Sequence, residues 1–466
     1  MLLQSIQIKN YRSIEDIVFN IQALEDNSYT FGLIGVNEAG KSSILKAMAL
    51  KDSIVALTSK DFTAKSKNIE VLFKYRLDDK DEIEYNKLIT EEAQLPSLDF
   101  DVINPNDEVG FKLTFSVEAP STPLYELLYT KKKSDFANSI KLTKPLFDKM
   151  HRTVFWTAKD EYLISDAINL TTFAANPETS IPLKNSFSLA GISDIAAAIA
   201  SFVGDTTEKK HLEGKLSDAV TGHISKVWPG HPIKIIFDID GQIISFHVVD
   251  TKAGGKAKTV NQRSDGFKQF ISFLLTVSAE DSNEELKNCL LLLDEPETHL
   301  HPQAQEYFLN ELKKITTNNR GNIVLFATHS NYMIDKVKLS RNYKVTKEKD
   351  STSIELIDTK ISTFASVNYE VFGIPTSDYH SELYGKLHQK FQDADINDDK
   401  REKILEFDKG FLQTTGKQAK DKPWKGNANQ ATLSTYIRNC IHHSDNGNEY
   451  TSDELKRSIE LMKKLL

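Results

Sequence analysis

Residues 35–43 read Gly-Val-Asn-Glu-Ala-Gly-Lys-Ser-Ser, and this stretch decides the fold. An apolar run at residues 31–34 precedes it, and a helical pattern at residues 43–49 follows it. The G-x-x-x-x-G-K-[ST] pattern binds phosphate when it lies between a strand and a helix. The stretch therefore predicts a phosphate-binding loop, and its flanks argue against a chance loop of the same spacing.

The loop residues have separate predicted tasks. Gly35 and Gly40 let backbone N–H groups turn toward an anion, and the helix N-terminus adds its positive dipole. Lys41 can reach the β- and γ-phosphates of a nucleotide, and the Ser42 hydroxyl suits Mg²⁺. The residues predicted to bind the nucleotide here are Gly35, Asn37, Gly40, Lys41, Ser42 and Ser43.

A second pattern lies far along the chain, where four leucines precede an acidic pair. Residues 290–293 are all Leu, and Asp294 and Glu295 follow. This apolar run indicates a strand buried on both faces of a parallel sheet. Ligands of such sheets lie at the carboxyl edge, so we expect Asp294 to bind Mg²⁺ and Glu295 to polarise the attacking water. A strand that merely ends in a solvated acidic pair is the alternative if the pattern stands alone.

Two further patterns contribute residues to the same predicted site. The apolar run 323–328 ends at His329, which can sense the γ-phosphate from the end of its strand. Ser264 and Gly266 stand in the sequence Arg-Ser-Asp-Gly, ahead of the apolar residues 270–275. A hydroxyl and a backbone N–H at a helix start can bind phosphate oxygens, although the same residues also make an ordinary helix cap.

The order of these motifs resembles that of the OLD/RecF-like branch of ABC ATPases. Residues 6–14 are similar to the first strand and turn of that branch, which adds Arg12 to the nucleotide contacts. The resemblance implies an α/β fold with an ABC-type P-loop nucleotide-binding domain, with ATP and Mg²⁺ as cofactors. It also implies a homodimer that sandwiches ATP, in which Ser264 and Gly266 act on the nucleotide of the opposite subunit. The implied catalytic residues are Lys41, Glu295 and His329.

The chain divides into four predicted segments. Residues 1–120 and 229–360 form the two halves of the nucleotide-binding domain, with a mainly helical insertion over residues 121–228. Residues 361–466 form a C-terminal, mostly α-helical domain.

Two local features add detail to this division. A hairpin is predicted over residues 232–249, with its turn at Asp240-Gly241. The glutamine that ABC ATPases usually carry between their nucleotide motifs has no assigned position here. Asp61 lies where that loop could fall, and it stays unassigned.

The composition excludes several classes of protein. The 466 residues carry a formal net charge of −8, which argues against a constitutive DNA coat, because such a coat needs a basic surface. No apolar run reaches the roughly 18 residues of a membrane span, so no membrane partner is expected. Cys289 and Cys440 give no disulfide framework, and Met1 leads directly into a strand. We therefore expect a cytoplasmic protein.

The resemblance also implies a biological role. A short chain without an attached nuclease resembles the ATPase subunits of bacterial anti-phage systems such as PARIS and Septu. The first hypothesis is therefore that the protein is a sensor and scaffold that controls a separate nuclease effector in response to a phage-encoded trigger. It would act as a homodimer or as an assembly of dimers. The alternative is a RecF-like DNA-repair ATPase, so a nucleic acid partner is left open.

The C-terminal domain raises a third hypothesis. Arg438, Asn439 and His443 match the R-N-x-x-x-H pattern of HEPN ribonucleases, in which His443 would be acid/base and Arg438 would stabilise phosphate. The competing interpretation is a helix end whose basic residues complement the helix dipole. Further on, Thr451 and Glu454 predict a capping box at the start of the last helix.

Overall fold

The chain folds into two compact units, Met1–Ile357 and Asp358–Leu466. The structure is a computed structural model that describes residues 1–466 except the following ranges. These are 53–55, 65–66, 78–107, 130–137, 142–149, 158–159, 203, 228–232, 252–254, 263–267, 269–270, 276–286, 299, 318–319, 336–337, 358–362, 395–401, 425–426 and 444–446. In the described part of the chain, no helix is long and apolar enough to cross a membrane.

The first unit combines strands and helices along its whole length. Its strands are β1 (Leu2–Tyr11), β2 (Ile14–Asn20), β3 (Thr30–Ile34), β4 (Ile69–Arg76), β5 (Glu108–Phe115), β6 (Leu124–Tyr129), β7 (Asn138–Lys141), β8 (Arg152–Thr157), β9 (Ile168–Asn169), β10 (Ile233–Asp240), β11 (Ile243–Asp250), β12 (Lys258–Thr259), β13 (Cys289–Asp294), β14 (Ile323–Thr328), β15 (Asn342–Glu348) and β16 (Ser351–Leu356). Its helices are α1 (Lys41–Ala49), α2 (Leu170–Ala175), α3 (Ile181–Leu189), α4 (Ile195–Ser201), α5 (Thr206–Val227) and α6 (Pro302–Thr317), and residues 271–275 are also helical.

A six-stranded sheet of order β16-β15-β3-β14-β13-β8 forms the centre of this unit. All neighbours in it are parallel except β16, which is antiparallel to β15. Ala327 is paired with Asp294 on one side and with Leu33 on the other. The carboxyl ends of β3, β14 and β13 therefore meet at one edge, where ligands of open α/β sheets bind.

Strand β13 confirms the predicted burial on both faces. Leu290 and Leu292 pack into one core, which also contains Ile44 and Leu45 of α1. Leu291 and Leu293 pack into a second core on the opposite face. Side chains alternate between the two faces of a strand, so a continuous leucine run is required where both faces are covered.

A second six-stranded sheet of order β2-β1-β4-β5-β6-β7 is antiparallel throughout. Ile6 and Phe73 are register partners in its centre, and Phe73 is also paired with Phe111. These side chains are fully buried in the core shared with α1. Strands β4 and β5 are antiparallel over their whole length, from the Ile69–Phe115 pair to the Arg76–Glu108 pair.

The segment 121–228, for which the sequence predicts mainly helix, begins instead with strands. β6 and β7 extend the antiparallel sheet, and β8 joins the edge of the central sheet next to β13. The apolar residues 154–156 explain this placement, because they are buried where β8 lies beside β13. Helices α2 to α5 follow, and the Phe237 N–H of β10 donates to the Ser217 hydroxyl of α5 at 3.0 Å.

The predicted hairpin is present as β10 and β11, with a turn that differs by one residue. Asp240 is paired with Ile243, so the two turn residues are Gly241 and Gln242. Gly241 has a φ of 57°, a left-handed conformation that glycine adopts without strain.

The C-terminal unit is mainly helical, with one two-stranded sheet. It contains α7 (Phe364–Phe372), α8 (Ser377–Asp393), α9 (Ile404–Phe407), β17 (Lys422–Trp424), β18 (Asn427–Ala431), α10 (Leu433–His442) and α11 (Ser452–Lys463). Leu387, Ile437 and Ile459 meet in its own apolar core. The predicted capping box is confirmed, since Thr451 and Glu454 exchange hydrogen bonds at the start of α11.

Candidate functional site

The phosphate-loop glycines occupy positions that no larger residue would fit. A Cβ on Gly35 would lie 2.4 Å from the carbonyl oxygen of Val345, on the neighbouring strand β15. Gly40 has a φ of 108°, and its Cβ would lie 2.4 Å from the Thr352 hydroxyl. Both glycines are therefore required by the close approach of β15 and β16 to the loop.

Lys41 folds back over the loop that precedes it. Its Nζ donates to the carbonyls of Gly35 at 2.8 Å and Val36 at 2.9 Å. Burial lowers the pKa of the Lys41 ammonium, and the surrounding carboxylates, Glu295 first, oppose that shift. The ammonium thus lies at the mouth of the loop, where a phosphate oxygen would compete with these two carbonyls for it.

The two predicted metal ligands are in direct contact. The Ser42 hydroxyl donates to Asp294 Oδ1 at 2.7 Å, although 252 residues separate them. Burial raises the pKa of Asp294, and the hydrogen bond from Ser42 acts in the opposite direction. Hydroxyl and carboxylate oxygens are the hard ligands that Mg²⁺ prefers, and this ion is usually held by one or two protein groups together with phosphates. The pair therefore fits a magnesium ion.

Glu295 and His329 face each other beside this pair. His329 Nδ1 lies 3.5 Å from Glu295 Oε1, and the two side chains are 46 % and 38 % exposed. Glu295 has a φ of 50°, and its N–H donates to the Ala327 carbonyl at 3.0 Å. A left-handed conformation costs about 1–3 kcal/mol in a residue other than glycine. The hydrogen bond to β14 holds the strained residue, and with it the carboxylate, at the sheet edge.

A cavity of about 410 Å³ brings most of the predicted residues together. Its lining residues are Arg12, Ser13, Asn37, Glu38, Ala39, Gly40, Lys41, Ser42, Ser43, Glu295, His329 and Lys347. Gly35 and Asp294 contact this set through Lys41 and Ser42. Ser264 and Gly266 lie outside the described residues, so their predicted role remains a prediction.

Arg12 enters the cavity from the turn between β1 and β2. Its φ of 52° is left-handed, and its Nε donates to Asp61 Oδ1 at 2.8 Å. The Thr58 N–H and hydroxyl donate to the other oxygen of Asp61 at 2.7 and 2.8 Å. Burial alone would raise the pKa of Asp61, but the hydrogen bonds from Thr58 and Arg12 outweigh it and lower the pKa. Asp61, which the sequence left unassigned, thus anchors Arg12.

Three side chains near the loop were not predicted from the sequence, and two of them, Lys347 and Thr352, come from the far end of the unit. Lys347 of β15 lines the cavity. Thr352 of β16 lies 2.8 Å from the Ser13 hydroxyl and donates to the Ala39 carbonyl at 3.2 Å. Their positions depend on the pairing of β15 with β3, which no local pattern encodes.

Glu297 is the third of these side chains and the most buried. It is 1 % exposed, accepts a hydrogen bond from the Thr328 hydroxyl, and burial raises its pKa to about 7. Thr328 directly precedes His329, and its hydroxyl also accepts the Ser330 N–H at 2.9 Å. Glu297 therefore ties the turn after β13 to the end of β14. The sequence signal was its place two residues after Glu295, in an acidic turn.

Comparison with known proteins identifies the family. Residues 31–335 match the family described as "AAA domain, putative AbiEii toxin, Type IV TA system". The chain belongs to this AAA family. The matched residues contain the phosphate loop, the acidic pair and His329, and the predicted ABC-type P-loop fold class is confirmed.

Individual relatives match over shorter stretches. Protein ea59 of Escherichia phage lambda is 34% identical over 97 residues, which cover 20% of this chain and 18% of that protein. The uncharacterized protein MJECL43 of Methanocaldococcus jannaschii is 30% identical over 91 residues, 19% of this chain and 23% of that one. The matches thus span about a fifth of these relatives.

Solved structures with a similar fold include heads of SMC proteins. The SMC head domain from Thermotoga maritima aligns with a TM-score of 0.40 and 12% identity, over 77% of this chain and 100% of that one. The SmcHead bound to the C-winged helix domain of ScpA aligns with a TM-score of 0.45 and 14% identity, over 77% of this chain and 98% of that one.

The residues of the C-terminal hypothesis share a separate cavity. Arg438, Asn439 and His443 all line it, and Arg438 Nη1 donates to Asn439 Oδ1 at 3.1 Å. Helix α10 ends at His442, and the His443 N–H caps it by donating to the Asn439 carbonyl at 2.9 Å. The arrangement fits both a ligand site and the helix-end interpretation.

Proposed function

We propose that this protein hydrolyses ATP within a homodimer, and that the nucleotide state of the dimer controls a separate nuclease effector in anti-phage defence. The observation that carries the proposal is the convergence of the phosphate loop, the Ser42–Asp294 pair and the Glu295–His329 pair on one cavity. These groups come from three distant parts of the chain, and each has the chemistry that one step of ATP hydrolysis needs.

The side chains divide the chemistry among them. Lys41 and the loop N–H groups would bind the β- and γ-phosphates. Ser42 and Asp294 would hold Mg²⁺, which supplies charge neutralisation at the phosphate oxygens when bound. Glu295 would orient and polarise the attacking water, and His329 would contact the γ-phosphate. Positioning and charge stabilisation supply most of the rate in such reactions.

Dimerisation would complete the site. In this proposal Ser264 and Gly266 of one subunit bind the γ-phosphate held by the other, so two ATP molecules lie between the subunits. A nucleotide that binds the closed dimer more tightly than the open one shifts the equilibrium by the difference in affinity. Hydrolysis would then return the dimer to its open state, so the two subunits would act as a switch controlled by the nucleotide.

The control of a partner is supported by the family and by the second compact unit. The family description names a putative toxin of a type IV toxin–antitoxin system, and one relative is encoded by a phage. The unit Asp358–Leu466 has a core of its own. We place recognition of the effector or of a phage-encoded trigger on this unit, in a dimer or an assembly of dimers.

The first experiment tests the switch. Glu295→Gln should lower the rate of ATP hydrolysis at least about 100-fold, because the residual charge stabilisation remains but the water is no longer activated. The same variant should still form an ATP-dependent dimer, measured by light scattering. Glu306→Gln, a change at an exposed position of α6, is the matched control and should behave as wild type. Hydrolysis at the wild-type rate in Glu295→Gln would contradict the assigned role.

The second experiment tests the biological role. Phage plaques are counted on cells that carry the native locus, with wild type, Lys41→Ala and Glu295→Gln, and tagged protein is purified from the same cells. Protection that both changes abolish, together with a co-purifying nuclease, is the expected result. ATP-dependent binding to DNA ends or gaps without any protection would favour the RecF-like repair function instead.

A further inference from the structure

The C-terminal unit contains a cavity of about 870 Å³. It lies between residues 402–405 at the start of α9, β17, and the second half of α10. Ligand sites typically occupy roughly 300–1,000 Å³. The cavity is thus large enough for a nucleotide-sized molecule, and it belongs to the C-terminal unit, whereas the phosphate-loop site belongs to the first unit.

The charged groups that line this cavity are mostly basic. Arg438 and Lys403 are basic residues there, and Glu402 is the acidic residue among the described lining residues. In the described part of the chain, the Arg438 guanidinium makes one hydrogen bond, to Asn439, and no salt bridge. A guanidinium has five N–H donors, so most of its capacity to bind phosphate oxygens remains. His443 adds a ring nitrogen to the same wall.

The basic groups that line the cavity affect the pKa of a neighbouring residue, His442. Burial lowers the pKa of His442, and the charges of Arg438 and His443 lower it further. In a chain whose formal net charge is −8, this local excess of positive charge points to an anionic ligand.

Aromatic and amide groups line the same space. Trp424 of β17 is half-buried at the cavity, and Asn439 presents a side-chain amide. The Tyr436 ring also lines it, but the Lys422 ammonium lies 5.5 Å from that ring's centroid. The Tyr436 hydroxyl already makes a hydrogen bond within the protein, which it donates to the Glu449 carbonyl at 2.9 Å. Trp424 is therefore the ring surface on which a flat heterocycle can stack.

We propose that this cavity binds a nucleotide, with its phosphate on Arg438 and Lys403 and its base on Trp424. A phosphate and a base are present both in a free nucleoside monophosphate and in an unpaired nucleotide of a single-stranded nucleic acid. Such a site gives the C-terminal unit a ligand of its own, which binds independently of the ATP site.

The experiment uses the full chain with Lys41→Ala, so that the phosphate loop does not dominate binding. AMP, a short oligouridylate and inorganic phosphate are titrated separately while tryptophan fluorescence is followed. Quenching by AMP or by the oligouridylate is expected, and Trp424→Phe should remove it. The ligand that binds more tightly identifies the source, free nucleotide or strand.

Charge variants assign the phosphate contact. Arg438→Gln should weaken binding about tenfold or more, because a hydrogen bond to a charged group is lost. Arg457→Gln, exposed on α11, is the matched control and should leave binding unchanged. Lys403 is also exposed, so Lys403→Gln tests the site without a risk to folding. About a threefold loss of ligand affinity is expected.

Three outcomes would overturn the proposal. The first is an absence of quenching by AMP and by the oligouridylate at millimolar concentration. The second is competition by inorganic phosphate at the same concentration as AMP, since the aromatic ring would then contribute nothing. The third is wild-type affinity in both Arg438→Gln and Lys403→Gln. Cleavage of the oligouridylate that His443→Ala abolishes would support the site and add a reaction to it.

Discussion

The cavity of the first unit and the cavity of the C-terminal unit share basic, acidic and amide side chains, but the backbone conformations of their lining residues differ. Arg12, Glu38 and Glu295 line the first with φ values of 52°, 62° and 50°, and Gly40 adds a φ of 108°. Among the described residues that line the second, none has a positive φ. Each such conformation in a residue other than glycine costs about 1–3 kcal/mol and persists only where surrounding contacts hold it.

The contacts that hold the first cavity are also longer in range. The Ser42–Asp294 bond joins residues 252 apart, and the Ser13–Thr352 bond joins residues 339 apart. The described residues that line the second cavity all belong to the stretch from Glu402 to Asn448. The difference teaches that the first site is preorganised by the whole unit, whereas the second depends on local structure. Changes to the supports of the first should therefore have the larger effects.

The largest effect is expected from Gly40→Ala. The added Cβ would meet the Thr352 hydroxyl at 2.4 Å, and alanine is strained at a φ of 108°. We expect loss of measurable ATP binding and a decrease of about 1–3 kcal/mol in the free energy of unfolding. Equilibrium ATP titration and denaturant unfolding measure both.

Gly214→Ala in α5 is the control, because a Cβ there would meet nothing within 4 Å. This variant should bind ATP as wild type does and gain about 1 kcal/mol of stability from helix propensity. Wild-type ATP affinity in Gly40→Ala would show that the close approach of β16 does not constrain the loop.

Glu297→Gln should change how the stability of the first unit depends on pH. The folded pKa of Glu297 is raised to about 7 from an ordinary 4.5. The neutral acid therefore stabilises the fold fully below about pH 4.5, and this contribution is lost as the pH rises through 7. The total is on the order of 3 kcal/mol. Denaturant unfolding at pH 5 and pH 8 should show a smaller pH difference in the variant than in wild type.

A control for this prediction is Glu306→Gln, which changes an exposed carboxylate. It should keep the pH dependence of wild type. If Glu297→Gln also keeps it, Glu297 is ionised in the folded protein at neutral pH, and the link it makes to Thr328 is between a hydroxyl and a carboxylate anion.

Asp61→Asn tests the anchor of Arg12. The change removes the charge that accepts hydrogen bonds from Arg12 and Thr58, so the guanidinium should lose its fixed position. About a tenfold decrease in ATP affinity is expected, since hydrogen bonds to charged groups contribute about 1.5–3 kcal/mol. In an Arg12→Ala background the same change should add little, which a double-mutant cycle of ATP affinity would measure.

Asp16→Asn is the matched control for Asp61→Asn. Asp16 is an exposed carboxylate on β2 that pairs with Lys9 across the sheet at 3.6 Å, and exposed pairs contribute roughly 0–1 kcal/mol. ATP affinity should not change. Additive losses in the Arg12→Ala and Asp61→Asn pair would show that Asp61 acts on the nucleotide site by another route.

Lys347→Ala should have the smallest effect of the series. Its ammonium lines the nucleotide cavity but is partly exposed, so its attraction for phosphate is screened by solvent. About a threefold loss of ATP affinity is expected at low salt, and less at high salt. Lys344→Ala is the control, because Lys344 lies on the same strand and is also paired with a carboxylate, Glu355, but is not among the described residues that line the cavity. An equal loss in both variants would assign the effect to net charge alone.

The parts of the site that the sequence predicted are those encoded by local backbone geometry. The loop at residues 35–43, β13 and β14 are short patterns in which glycine spacing or an apolar run dictates the conformation. Thr352 and Lys347 were not predicted, because their approach to the loop follows from the pairing of β15 with β3. The ABC-type fold was also predicted, because the short local patterns that identify it are the same ones that predict the loop.

Beyond the site, the pairing of distant strands likewise could not be predicted from local sequence patterns. Residues 152–157 are apolar enough for a strand, but only the partner strand β13 shows that they belong to the central sheet. The hairpin turn was displaced by one residue because Asp240 takes part in the strand pairing. Glu297 was missed since a single glutamate in an acidic turn carries no signal of its burial.

The separation of Ser42 from Asp294 also has a consequence for biosynthesis. At about 5–20 residues per second, the ribosome needs roughly 10–50 s after Ser42 to add the 252 residues that end with Asp294. During that time the nascent loop has neither its acidic partner nor the strands that enclose it. A product cut short before Asp294 would carry the loop without the carboxylate that accepts the Ser42 hydrogen bond, so completion of the cavity reports that synthesis has passed this point.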